Sequence, residues 1–129
     1  MTTCGLWLAQ RRLVAALVGP GGEPRLIRSA LTGDARFGLL EYLVAAEAEI
    51  VAAEALVHSD LLPQHAARRG LVVWAASDGL VAALLRAAAV RDPARAAALL
   101  ARLPGIQLLR ASLHRLAPQD APAQQLPLI

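Results

Sequence analysis

Between Glu49 and Gly79 the chain reads EIVAAEALVHSDLLPQHAARRGLVVWAASDG, and this stretch limits the fold more than any other. Ile50, Val51 and Ala52 form one apolar run, and Leu71 to Ala75 form a second. Neither run alternates apolar with polar, as a strand with one wet face does. Both therefore predict strands inside a sheet covered on two faces. Leu61 to Arg69, between them, has helical spacing. Two strands joined through such a helix return parallel, and the crossover is right-handed in nearly all proteins. Glu54 stands just past the carboxyl end of the first strand, the edge at which open α/β sheets place their ligands.

Upstream, Gly5 to Ala9 and Leu13 to Gly19 are apolar runs split by Gln10, Arg11 and Arg12. That spacing predicts a β-hairpin with a short polar turn. Gly19-Pro20-Gly21-Gly22 is a second turn, and Arg25 to Leu31 alternates as a strand near a sheet edge does. The opening is thus a three-stranded antiparallel meander. Thr32 or Asp34 caps a helix from about Ala35 to Ala46. Ser59 or Asp60 caps the crossover helix, and Gly70 closes it in the left-handed conformation.

Downstream the pattern turns helical. Ser77 or Asp78 starts a helix to about Val90, Asp92-Pro93 has the form of a helix entry, and Ile106 to Leu116 reads as a last helix. From Ala117 the composition shifts to Pro, Gln and Ala, the mark of an extended tail. The expectation is one α/β domain over 1–116, with a helical extension from about 77 to 116 and a flexible tail over 117–129.

The 129 residues suffice for one such domain. Aromatics are only 3 %, so the core must be Leu, Val and Ala, with helices lying close on the sheet. All 13 basic residues are Arg; codon bias accounts for that without function, although Arg is also the better bidentate partner for phosphate. Residues 1–83 hold seven Arg and eight acids, whereas 84–116 hold six Arg and only Asp92. This asymmetry points to an anionic partner for the later helices, although amphipathic helices need a solvated face in any case. Cys4 alone forms no internal disulfide or cysteine metal site and reads as a small buried hydrophobe. Arg11 and Arg12 break the first apolar stretch, against a leader peptide. No uncharged run approaches the roughly 20 residues of a membrane span, so a cytoplasmic location is expected.

Other constellations exclude themselves. His58, His65 and His114 lack metal-ligand spacing. His58-Ser59-Asp60 has the composition of a triad, but adjacent residues cannot adopt its geometry. Gly19 to Gly22 lacks the strand-to-helix context and the Lys of a phosphate loop. Trp7 and Trp74 read first as core residues.

Three antiparallel strands, a helix, a strand, a helix and a further strand is the element order of the ribonuclease H-like fold. Within that fold the chain resembles the N-terminal DEDD domain of IS110-type transposases, itself similar to RuvC-like resolvases. The resemblance runs from about Gly5 to Leu100. Gly5-Leu6-Trp7-Leu8-Ala9 stands where the family reads Gly-Ile-Asp-Val-Ser or similar. Val51-Ala52-Ala53-Glu54-Ala55 matches the family's strand and Glu, and Gly70-Leu71-Val72-Val73 its glycine and next strand. Arg91-Asp92-Pro93-Ala94-Arg95-Ala96 stands where the family reads Thr-Asp-x-x-Asp-Ala. The resemblance implies phosphodiester chemistry in which four carboxylates hold divalent cations. Here Trp7 replaces the first acid and Arg95 the last, leaving Glu54 and Asp92.

The expectation that follows is a non-catalytic, nucleic-acid-associated accessory or assembly protein of the transposase and resolvase group, without a cofactor. Arg86, Arg91, Arg95 and Arg102 would face phosphate, and Trp7 would be available to stack on a base. Partners left open are nucleic acid, another protein and a second copy of the chain as a homo-oligomer. The alternative is a metal-dependent nuclease using Glu54, Asp92 and Mg²⁺. A third reading comes from the tail: Gln125-Leu126-Pro127-Leu128-Ile129 resembles the Gln-Leu-x-Leu-Phe motif that docks bacterial proteins on the replication sliding clamp. Gln125 would supply the amide, and Leu126, Leu128 and Ile129 the apolar anchors.

Overall fold

The computed structural model describes residues 2–117. Three strands open the chain: β1 (Thr3–Ala9), β2 (Arg12–Val18) and β3 (Pro24–Ala30). They pair antiparallel in sequence order, with Trp7 opposite Val14 and Val14 opposite Arg28. Helix α1 (Gly33–Ala45) returns the chain to β4 (Glu49–Ala53), which lies parallel to β1. Two helices, α2 (Glu54–Ser59) and α3 (Leu61–Arg68), lead to β5 (Val73–Ala76), parallel to β4. Then follow α4 (Asp78–Ala87), α5 (Pro93–Arg102), α6 (Gln107–Arg110) and the two-residue β6 (His114–Arg115). The fold is α/β, with a six-stranded mixed sheet ordered β3-β2-β1-β4-β5-β6.

Alternation along the strands sorts side chains onto two faces. Cys4, Leu6, Leu13, Ala15, Ile50, Ala52 and Val73 share one core with Leu39, Leu40 and Leu43 of α1 and Leu62 and Ala66 of α3. Gly5, Trp7, Val14, Ala16 and Val51 face the other way. There Ala97 and Leu100 of α5, followed by Leu103, cover them. Ala97 and Ala101 bring the α5 backbone so close to β1 that a Cβ on Gly5 would lie 1.8 Å from the Ala97 carbonyl oxygen. This is the close helix-sheet approach that a core poor in aromatics requires.

Helix entries follow local chemistry. The Ala35 N–H donates to Thr32 Oγ1 at 3.3 Å, Leu62 to Asp60 Oδ1 at 2.9 Å, and Leu80 to Ser77 Oγ at 3.2 Å. Asp60 is buried, and its second oxygen receives Arg36 Nη2 at 2.9 Å, which ties α1 to the start of α3. At the surface, Arg69 grips Glu41 with two N–H groups at 2.6 and 3.4 Å. Those hydrogen bonds hold the Glu41 carboxyl below its usual range. Gly70, at φ +93°, takes the left-handed turn after α3, as expected.

One element is added and one expectation changes. The expected crossover helix forms as α3, and a further helix, α2, precedes it, the two separated by Asp60 in extended φ and ψ of −117° and 139°. Chain 106–116 is not one helix. Leu103–Gly105 forms a tight turn of helix around Pro104, α6 lasts four residues, and the chain then extends into β6 against β5. The pairing decides this, since Leu116 N–H donates to the Val73 carbonyl at 2.9 Å. A leucine-rich periodicity yields here to an open sheet edge.

Cys4 lies wholly inside the first core, and burial pushes its thiol from 9.0 up to about 12. The folded chain then keeps a proton that the unfolded chain releases above pH ~9. Stability from this group is therefore intact below pH ~9 and is lost as pH rises toward 12, by at most ~1.4 kcal/mol per pH unit. Urea midpoints measured at increasing alkaline pH should fall faster for the natural chain than for Cys4→Ala. Parallel declines would show that the thiol contributes nothing.

Candidate functional site

The carboxyl edge of the parallel strands is built from β1, β4 and β5. Leu6 pairs with Ala52, so Trp7 and Ala53 end side by side and Glu54 follows at the first turn of α2. Asp92 reaches the same edge by another route. Because α5 lies along β1 with Ala97 over Gly5, its start falls beside Ala9 and Gln10 at the β1–β2 turn. Trp7, Glu54 and Asp92 thus share one edge of the sheet.

They do not form one cluster. Glu54 faces a small pocket of about 180 Å³ shared with His58, Ala75, His114 and Arg115. Its Oε1 lies 3.8 Å from His58 Nε2, one helical turn on. Asp92 lines a separate groove with none of these residues. The half-buried Trp7 ring packs with Val14, Ala16 and Ala97 and with the core around Leu100, on the face that α5 covers. Among the described residues no group of three or more His, Cys, Asp or Glu is placed to hold a metal ion. A divalent cation needs converging oxygen ligands, so the residues present do not fit one. Asp92 precedes α5, but its side chain makes no capping hydrogen bond. Asp78 is engaged as an acceptor, from the Ala55 N–H at 3.2 Å.

The arginines expected to face phosphate are divided. Arg91 and Arg95 are exposed around the start of α5. Arg102 lies at its other end, about 15 Å away at 1.5 Å per residue, where Nη2 donates to the Gly22 carbonyl at 3.5 Å in the β2–β3 turn. Arg86 is exposed on α4. Arg110 lies over the Trp74 ring at 5.2 Å and donates to the Pro104 carbonyl, so both are structural partners of the C-terminal segment. Gln125, Leu126, Leu128 and Ile129 lie outside the described residues.

The groove that Asp92 lines is larger than the Glu54 pocket, and its arginines are ones to which the sequence gave no binding role. About 900 Å³ lies between the β1–β2 turn, β3 and the start of α5, bordered by Gln10, Arg11, Arg12, Val14, Arg28, Asp92 and Pro93. Helix α5 packs over β1 and β2, and the same-side residues of β3, Leu26, Arg28 and Ala30, remain exposed. The groove is the step left by a helix one strand short of the sheet edge. Arg12 pairs with Ala30 and Arg28 with Val14, so the two arginines are diagonal cross-strand neighbours, about 7–8 Å apart at Cα. None of Arg11, Arg12 and Arg28 forms an ion pair with a described residue.

Comparison with family models and with curated proteins finds no match. Among the described residues no helix is long and apolar enough to cross a membrane.

Proposed function

We infer that the protein is a non-catalytic relative of ribonuclease H-like transposases and resolvases that associates with nucleic acid as an accessory or assembly module. The observation that carries this reading is Trp7. It stands within β1 where the resemblance would put that family's first acid, it packs beneath α5, and Glu54 and Asp92 line different pockets. The element order through β5, three antiparallel strands followed by α1, β4, the helix pair α2 and α3, and β5, is compatible with the relationship. An Arg-only basic complement with a formal net charge of +3 supports an anionic partner.

The test pairs binding with cleavage. The intact chain should bind a labelled oligonucleotide with affinity that falls steeply with salt. It should leave the strand uncut in Mg²⁺ or Mn²⁺, and Glu54→Gln should change neither result. Metal-dependent cleavage lost in Glu54→Gln would restore the nuclease reading. Absence of binding at low salt would end the nucleic-acid reading.

A further inference from the structure

We propose that the step between α5 and β3 is the strand-binding site, where Arg11, Arg12 and Arg28 hold the sugar-phosphate backbone of a nucleic acid. This rests on the nucleic-acid reading above and moves its contact surface from the later helices to the first three strands. Three arginines line one groove with a single acid, Asp92, on its border. Without acidic partners among the described residues, they present unneutralised donors in the planar geometry that suits phosphate oxygens.

The shape selects a chain over a lone anion. Arg12 and Arg28 stand on adjacent strands in diagonal register, with the half-buried Ala9, Pro93 and Ala94 as an apolar border of the groove. A single phosphate would engage one corner of a groove of about 900 Å³. A strand can set successive phosphates against the arginines and lay its sugar edge on the apolar border.

Gln10 adds an independent observation. It is the first residue of the two-residue β1–β2 turn and takes a left-handed φ of +48°. Glycine or asparagine enters that region more readily. Glycine would also remove the one side-chain amide that borders the groove. The strained turn therefore keeps a group able to donate to a phosphate oxygen and accept from a base or sugar.

Fluorescence anisotropy with a labelled single strand and its duplex, read across a salt series, tests the site. In the triple variant Arg11→Ala, Arg12→Ala, Arg28→Ala, affinity for the tighter of the two should fall at least about tenfold. The log-log salt slope should fall by about 2 for a single strand. All three positions are exposed, and circular dichroism checks that the fold survives. Arg28→Glu alone provides a second variant and should weaken binding in the same direction. Gln10→Gly should leave the thermal midpoint unchanged or raised while lowering affinity about threefold, a pairing that a purely structural role would not produce. Arg86→Ala and Arg102→Ala should bind as the natural chain does.

Binding by the natural chain that persists in the triple variant overturns the groove and leaves the nucleic-acid reading standing. No binding by the natural chain ends both. Displacement of the strand by inorganic phosphate at matched ionic strength would show a small-anion site and also overturn the proposal.

Discussion

Gly5→Ala should be the most damaging small substitution in the chain, with a loss of about 3–5 kcal/mol or failure to fold. The added methyl would lie 1.8 Å from the Ala97 carbonyl oxygen, 2.7 Å from the Ala101 nitrogen and 2.9 Å from the Ala97 carbonyl carbon. All three are backbone atoms of α5, so no rotamer change relieves the clash; the helix itself must move off β1. That movement would uncover Val14, Ala16 and Val51 and loosen Leu100, all now buried. Urea unfolding reads the loss directly. A midpoint within about 0.5 kcal/mol of the natural chain would show that α5 does not lie as close to β1 as described. A milder effect is expected of Ala98→Ser, a half-buried position on the same helix.

Asp60→Ala should cost about 2–4 kcal/mol. One carboxylate performs two tasks: it accepts the Leu62 N–H at the start of α3 and pairs with Arg36 of α1. Truncation leaves the helix uncapped and the Arg36 guanidinium, with only 22 % of its side chain exposed, without its acid. The buried Arg36 Nε has no hydrogen-bond partner among the described residues already. Asp60→Asn should lose less, because the amide oxygen can still cap while the charge interaction is gone. A urea midpoint that drops at unchanged slope in both variants, in that order, is the expected result. Equal losses would mean that the ion pair, and not the cap, supplies the stability.

The contrast between these two residues shows what a sequence carries. Asp60 was legible as a helix cap because a cap is written within two residues of the N–H that it accepts. Its pairing with Arg36, 24 positions back, was not. Thr32, Ser77 and Gly70 were legible for the same local reason, as were the strands, whose side-chain alternation needs only a few residues to appear. Gly5 was legible only as part of a family-like pentapeptide. The reason for a glycine there lies at Ala97 and Ala101, on a helix that no local pattern places over β1.

The candidate site divides in the same way. The segment Glu49–Gly79 correctly predicted two buried parallel strands with Glu54 at the carboxyl edge. It could not show that Glu54 would face His58 and β6 while Asp92 opened onto another groove. Counting charge by segment also misled. Residues 1–83 balance to about neutral, yet the fold gathers Arg11, Arg12 and Arg28 of that segment at one step whose lining holds none of the segment's acids.

Sequence alone determined the α/β class, the meander, the parallel return and most helix entries, because each rests on periodicity or capping within a few residues. Tertiary structure decided the strand order, the sixth strand that displaced an expected helix, the contact at Gly5 and the arginine-lined step. Each of these depends on which distant surfaces pack together, and α5, more than 60 residues beyond β3, sets the groove by stopping one strand short.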